Sequence, residues 1–127
     1  MTYTKKHLRD VEDSALRYGL SDTQEARFAR RDLAAEQTGV TYLIIKPGCR
    51  EAFAHRHHEA EEIYVVLAGS GRVKLDDEVM DLIELDAVRV GPGTARMFEA
   101  DPDGLELLIF GAHVDGDVEQ VSGFWTS

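Results

Sequence analysis

Residues 41–71 read TYLIIKPGCREAFAHRHHEAEEIYVVLAGSG, and the fold and the chemistry of the chain both turn on them. At the centre stands His55-Arg56-His57-His58-Glu59-Ala60-Glu61-Glu62, where His55, His57, His58, Glu59, Glu61 and Glu62 are all able to hold a metal. The flanking runs Thr41-Tyr42-Leu43-Ile44-Ile45 and Ile63-Tyr64-Val65-Val66-Leu67 are β-branched and aromatic, which suits a pleated surface. Side chains alternate along a strand, so His55 and His57 share one face and His58 takes the other. A turn at Glu59-Ala60-Glu61 returns the chain, and Glu62 opens the next strand. Two imidazoles and a carboxylate then converge as a candidate metal site.

Outward from this stretch the chain breaks into short strand-like runs. Strands are predicted at 41–46, 51–57, 62–68, 72–75, 79–85, 88–90, 95–100 and 105–110, the last nearly continuous in apolar residues and expected to be buried. Turn signals separate them, with Gly69-Ser70-Gly71 read as a hairpin turn. No crossover helix fits between such runs, so the class is all-β, a sandwich or barrel. Residues 1–38 read as an N-terminal arm and 39–112 as the barrel core of a single domain. In the arm, Asp10-Val11-Glu12-Asp13-Ser14 reads as extended or loop. Residues 24–31 suit a polar edge strand, and a helical turn at Asp32-Leu33-Ala34-Ala35-Glu36 suits propensity equally well. Residues 113–127 form a short tail, loop-like through Gln120, whose Phe124-Trp125 pair is expected to dock on the chain's own barrel or on a partner subunit.

Gly48, His55-Arg56-His57, Glu62 and Gly69 closely resemble the first motif of the cupin superfamily, with one extra residue between Gly48 and His55. The run Asp86-Ala87-Val88-Arg89-Val90-Gly91-Pro92-Gly93-Thr94-Ala95-Arg96 resembles the second motif, with Gly91 in place of its proline and Arg96 in place of its histidine. The resemblance spans about residues 41–112. It implies a jelly-roll β-barrel with His55, His57 and Glu62 as metal ligands at the mouth, and it implies a homodimer. The apolar outer positions Ile63, Val65 and Leu67 also need cover.

Counting by twos puts Phe53, His55 and His57 on one face, Glu62, Tyr64 and Val66 on another, and Val88 with Val90. Arg96 in the motif's fourth position faces inward beside Phe98. The expected pocket is therefore walled by Phe53, Val66, Val88, Val90 and Phe98, with Arg96 and Tyr64 as candidate catalytic groups. Two readings of the polar level stand side by side. In one, two histidines and a glutamate hold a divalent transition metal (Zn, Fe, Ni or Mn), and Arg96 orients a small anionic substrate for a metal-dependent oxygenase, decarboxylase or isomerase. In the other, Arg96 pairs with Glu62 and the barrel is a metal-free small-molecule-binding or structural module.

Composition bounds the rest. A chain of 127 residues with 43% hydrophobic content makes one core, and a net charge of −10 disfavours nucleic acid while favouring a cation. No apolar run is long enough for a membrane span or signal core, so a soluble, cytoplasmic protein is expected. The single Cys49 excludes an internal disulfide and lacks an evident base. His58 is expected at the surface, Glu61 as a fallback ligand and Glu59 in solvent, while His7 and His113 lie in irregular segments. Arg27, Arg30, Arg31 and Arg50 read as solvated charges more readily than as an anion patch.

Overall fold

The computed structural model describes residues 2–127, an 8-stranded antiparallel sheet with two short helical turns before it. The strands are β1 (Gln24–Phe28), β2 (Val40–Ile45), β3 (Ala54–His57), β4 (Glu62–Leu75), β5 (Glu78–Leu82), β6 (Ala87–Val90), β7 (Arg96–Gly111) and β8 (Val118–Val121). Long β7 is the hub. It pairs β2 through Val40↔Phe110 to Ile45↔Leu105, β4 along most of its length, and β3 at His55↔Arg96. Strand β4 also pairs β5 and β6, and β1 and β8 cap the edges. The sheet curls into a barrel, within the all-β class that the spacing of runs predicts and of the jelly-roll form that the cupin resemblance implies.

Alternation explains which side chains fill it. Along β4, Tyr64, Val66 and Val73 turn inward while Ile63 and Leu67 face out. Leu43, Ile45, Phe98, Leu105 and Leu107 meet them from β2 and β7. Each such side chain contributes roughly 1.5–3 kcal/mol relative to staying exposed.

Several predicted boundaries are corrected. The runs 62–68 and 72–75 are one strand, and Gly69-Ser70-Gly71 is a kink within it rather than a hairpin turn. Register against β7 shifts between Val66 and Ala68 and again between Gly69 and Gly71. Gly69 sits at φ 78°, and a Cβ there would lie 2.0 Å from the Gly104 carbonyl oxygen; one on Gly71 would lie 2.0 Å from that of Glu99. Likewise 95–100 and 105–110 are a single β7, running through Asp101-Pro102-Asp103-Gly104. Its last part is one-sided: Leu105 and Leu107 are buried, but Phe110 is 38% exposed.

At the N-terminus, Val11–Asp13 are loop, one of the two forms expected of this segment, and a 3₁₀ turn (Leu8–Asp10) and α1 (Ser14–Arg17), neither of them predicted, flank it. Buried Asp13 is the reason for α1. Its Oδ1 accepts from Ala15 N at 3.0 Å, capping α1, and from Ala26 N at 2.9 Å on the free edge of β1. Strand β1 is the expected edge strand, and in place of the alternative helical turn at 32–36 the chain makes turns at 30–34 and a bend at 36. The tail departs most, because β8 pairs with β3 through Ala54↔Val121 to His57↔Val118 where a loop is predicted. Beyond it Trp125 docks on its own barrel. The Arg50 guanidinium lies 4.3 Å from its ring centroid and donates to the Trp125 and Ser127 carbonyls, while Lys74 donates to that of Phe124. No described helix is long and apolar enough to cross a membrane.

Gly71→Ala must displace the β4–β7 backbone contact. We expect a loss of about 2–4 kcal/mol in unfolding free energy, read by equilibrium urea unfolding.

Candidate metal centre

Strand β3 ends on His57 and β4 begins on Glu62, so the β3–β4 turn brings both ends of the motif to one level. Glu62 Oε1 lies 3.6 Å from His55 Nε2 and 3.2 Å from His57 Nε2. One ligand atom from each of His55, His57 and Glu62 falls within 4.8 Å of the others. Two ligands held at the usual bond length from one transition-metal ion stand roughly 3–3.5 Å apart, so the donor set and its spacing fit such an ion.

The same carboxylate is tied on its other side. Tyr64 donates to Glu62 Oε1 at 2.6 Å, Arg96 Nη2 donates to it at 3.3 Å, and Arg96 Nε donates to the Tyr64 hydroxyl at 3.1 Å. Arg96 Nη1 donates to the Thr94 carbonyl at 2.7 Å, so each guanidinium nitrogen has a protein acceptor on a side chain that is 0% exposed. Arg96 thus points inward, as its motif position implies, but is sealed beneath the polar level. Burial pushes the Glu62 carboxyl up; hydrogen bonds from His55, His57 and Tyr64 outweigh it and hold the group far below the usual carboxylate range. Tyr64 goes the other way: burial first, then the Glu62 charge, keeps its phenol protonated well above its ordinary value.

Asp117 is a member of the site that the sequence reading lacks. Its Oδ2 stands 3.0 Å from His57 Nδ1 and accepts from Ala60 N at 3.1 Å, while Oδ1 accepts from His58 N and Glu59 N at 3.1 and 2.7 Å. The β3–β4 turn thus wraps a buried carboxylate from the tail. Burial opposes ionisation of Asp117, but the Ala60 and Glu59 amides and the His57 imidazole outweigh it and hold its pKa below the ordinary value. Hydrogen bonding to Glu62 raises the pKa of His57; burial opposes this and Asp117 adds to it.

Two cavities meet at this level. The inner one, about 270 Å³, is lined by His55, His57, Glu62, Tyr64, Glu51 and Phe53 among others. The outer one, about 490 Å³, shares His57 and Glu62 and runs on past Asp117, Arg30 and Arg31. Of the predicted wall only Phe53 lines the inner cavity, and it is 40% exposed at the mouth. Val66, Val90 and Phe98 pack in the core beneath, with Val88 against them, because their strands turn those positions toward the barrel centre. The actual wall comes from β1 and β2 (Ala26, Phe28, Thr41, Leu43) and from Ile109 and Val118. His58 is exposed against Glu119, Glu61 pairs with Arg89 at the surface and Glu59 is exposed, so none of the three joins the ligands. Cys49 packs against the core, and among the described residues the hydrogen-bond partner of its sulfur is the Asp22 carbonyl.

Glu51 is the second residue missed. Counting back by twos from His55 through Phe53 reaches it, and it lines the inner cavity with Oε1 accepting from Phe98 N at 2.8 Å. Burial is the main cause that pushes its carboxyl up to about 8. Between its ordinary value of 4.5 and about 8 the unfolded chain is ionised there and the native chain is not. Stability therefore falls as pH rises through that window. Glu51→Gln keeps the acceptor and removes the titration. In metal-free protein its urea midpoint should match wild type near about pH 4 and exceed it near about pH 9.

Comparison with known proteins fits this geometry. The chain matches solved structures throughout its length: a cupin protein from Bacteroides fragilis at 21% identity and TM-score 0.72, covering 100% of this chain and 97% of that one. Streptomyces PAC13 with uridine matches at 16% identity and TM-score 0.77, covering 98% and 95%. Oxalate decarboxylase from Bacillus subtilis matches at 26% identity and TM-score 0.68, over 78% of this chain but only 28% of that larger one. No curated protein sequence matches. The cupin domain pattern matches residues 41–110, more than half of the chain. By that match, and by the barrel that carries His55, His57 and Glu62 at its mouth, this chain belongs to the cupin family.

Proposed function

We propose that the protein binds a divalent transition metal through His55, His57 and Glu62 and takes a small anionic organic molecule in the adjoining cavities. The Asp117–His57 contact carries this reading. A buried carboxylate that accepts from Nδ1 fixes the imidazole's tautomer and turns Nε2 toward Glu62 and His55, the arrangement by which proteins orient a metal-ligating histidine. When bound, the ion supplies Lewis acidity or, as iron or manganese, a redox centre to a chelating small acid. Arg96 and Tyr64 act as positioning residues, holding Glu62 by hydrogen bonds from beneath. Glu51, protonated near neutral pH on the wall beside His55, is placed to hold a proton for a bound acid. The resemblance to oxalate decarboxylase supports small carboxylates as the first substrates to screen, with decarboxylation, oxygenation and isomerisation as the reaction classes.

The Glu62–Arg96 ion pair favours the second reading, a metal-free small-molecule-binding barrel, since it already neutralises the carboxylate. Elemental analysis of untagged protein separates the two. Near-stoichiometric metal that disappears in His55→Ala is expected, with Asp117→Asn weakening metal affinity about 10–100-fold while the fold persists by circular dichroism. No metal after reconstitution with Zn, Fe, Ni and Mn would sink the metal reading.

The outer face of β4 and β7 supports a homodimer. Ile63 and Phe110 are register partners at 41% and 38% exposure, with Leu67 two rungs away at 42%. Sedimentation equilibrium should give a dimer, and Ile63→Glu a monomer with an intact barrel.

A further inference from the structure

We propose that Arg30 and Arg31 form an oxyanion subsite on the outer cavity, so that the ligand has two ends: one at the His55–His57–Glu62 level and an anionic one at this pair. Both arginines lie on the wall of the cavity of about 490 Å³ that reaches His57, Glu62 and Asp117. The chain carries net charge −10, and each of the other arginines has a hydrogen-bond or ion-pair partner, as in Arg50 with Glu99, Arg89 with Glu61 and Arg96 with Glu62, with Arg56 the weakest at 4.0 Å from Glu119 and its buried Nε unpartnered. Among the described residues Arg30 and Arg31 make no such pair, although carboxylates outnumber cations.

Their backbone is held in place. Ala29 N donates to the Val40 carbonyl at 3.0 Å, Ala35 N to that of Arg30 and Ala34 N to that of Arg31, both at 3.0 Å, so a closed turn carries the pair. Gly39 supplies the space: a Cβ there would come within 3.3 Å of both Arg30 Cβ and the Gly111 carbonyl oxygen. Consecutive arginines that line one concave wall have planar fork donors that match a carboxylate or a phosphate, and the half-buried setting of Arg30 strengthens such a contact. With Arg96 sealed by Tyr64, Thr94 and Glu62, the pair supplies the cationic groups of the cavity that no protein acceptor occupies. The two-ended ligand rests on the metal reading above; the anion end stands without it.

The test is an NMR titration of the arginine Nε–H resonances of the full chain with inorganic phosphate and, separately, with glutarate. At least one anion is expected to shift the Arg30 and Arg31 signals saturably, and the stronger of the two identifies phosphate or carboxylate as the natural end group. Arg30→Gln/Arg31→Gln, with an otherwise unchanged spectrum, should bind that anion about tenfold more weakly or worse. Neither anion moving those two signals, or equal affinity in the double variant, overturns the subsite. A parallel Ni(II) titration of wild type reports on the metal reading alone: anion binding without nickel binding would remove the metal and leave the subsite standing.

Discussion

A carboxylate drawn into an apolar barrel has to be matched by donors, and Glu62 is matched from three strands. His55 and His57 on β3, Tyr64 on β4 and Arg96 on β7 all converge on its Oε1. The consequence is geometric as much as energetic. Arg96 stands beside His55 through the β3–β7 register and faces the barrel through the β4–β7 register, and a one-residue slip of β7 would carry its side chain to the outer face. One oxygen atom therefore ties three strands together at the level where the chemistry sits.

The charges around this level divide by depth. Below it, Arg96 is sealed and satisfied, donating to Thr94, Tyr64 and Glu62. Beside it, Asp117 holds His57 through Nδ1. Above it, Arg30 and Arg31 are left unmatched on the cavity wall. An arginine in the fourth motif position thus reads most directly as a support for the glutamate, and the positive charge left without a protein partner lies outward, on the cavity wall.

Local pattern carried much of this into the sequence. The alternation in Glu62, Tyr64 and Val66 and the His-x-His spacing predict both the strand faces and the grouping of the three candidate ligands, because each depends on neighbours a few residues away. What pattern did not carry depends on distant partners. Gly69-Ser70-Gly71 looks like any turn until Gly104 and Glu99 are seen to press against it. Asp117 sits in an acidic Gly-containing segment like several others in the chain, and its role comes from β8 pairing with β3. Val66, Val90 and Phe98 face inward as counted, but inward at their depth is core; the cavity wall is built by β1 and β2, which a count along β4 and β6 does not reach. Glu51 was within reach of the same count by twos.

The three candidate ligands fall within eight residues of sequence, whereas Asp117 lies sixty positions from His57. A chain that has lost its barrel still carries His55, His57 and Glu62 as close neighbours and keeps part of any affinity it has for an ion. Binding to the unfolded chain subtracts from the stabilisation that a ligand gives the native one. Shifts in melting temperature on adding metal would then understate the affinity of the folded site. The part of that affinity that depends on folding rests on the long-range contacts, Asp117 with His57 and Arg96 with Glu62.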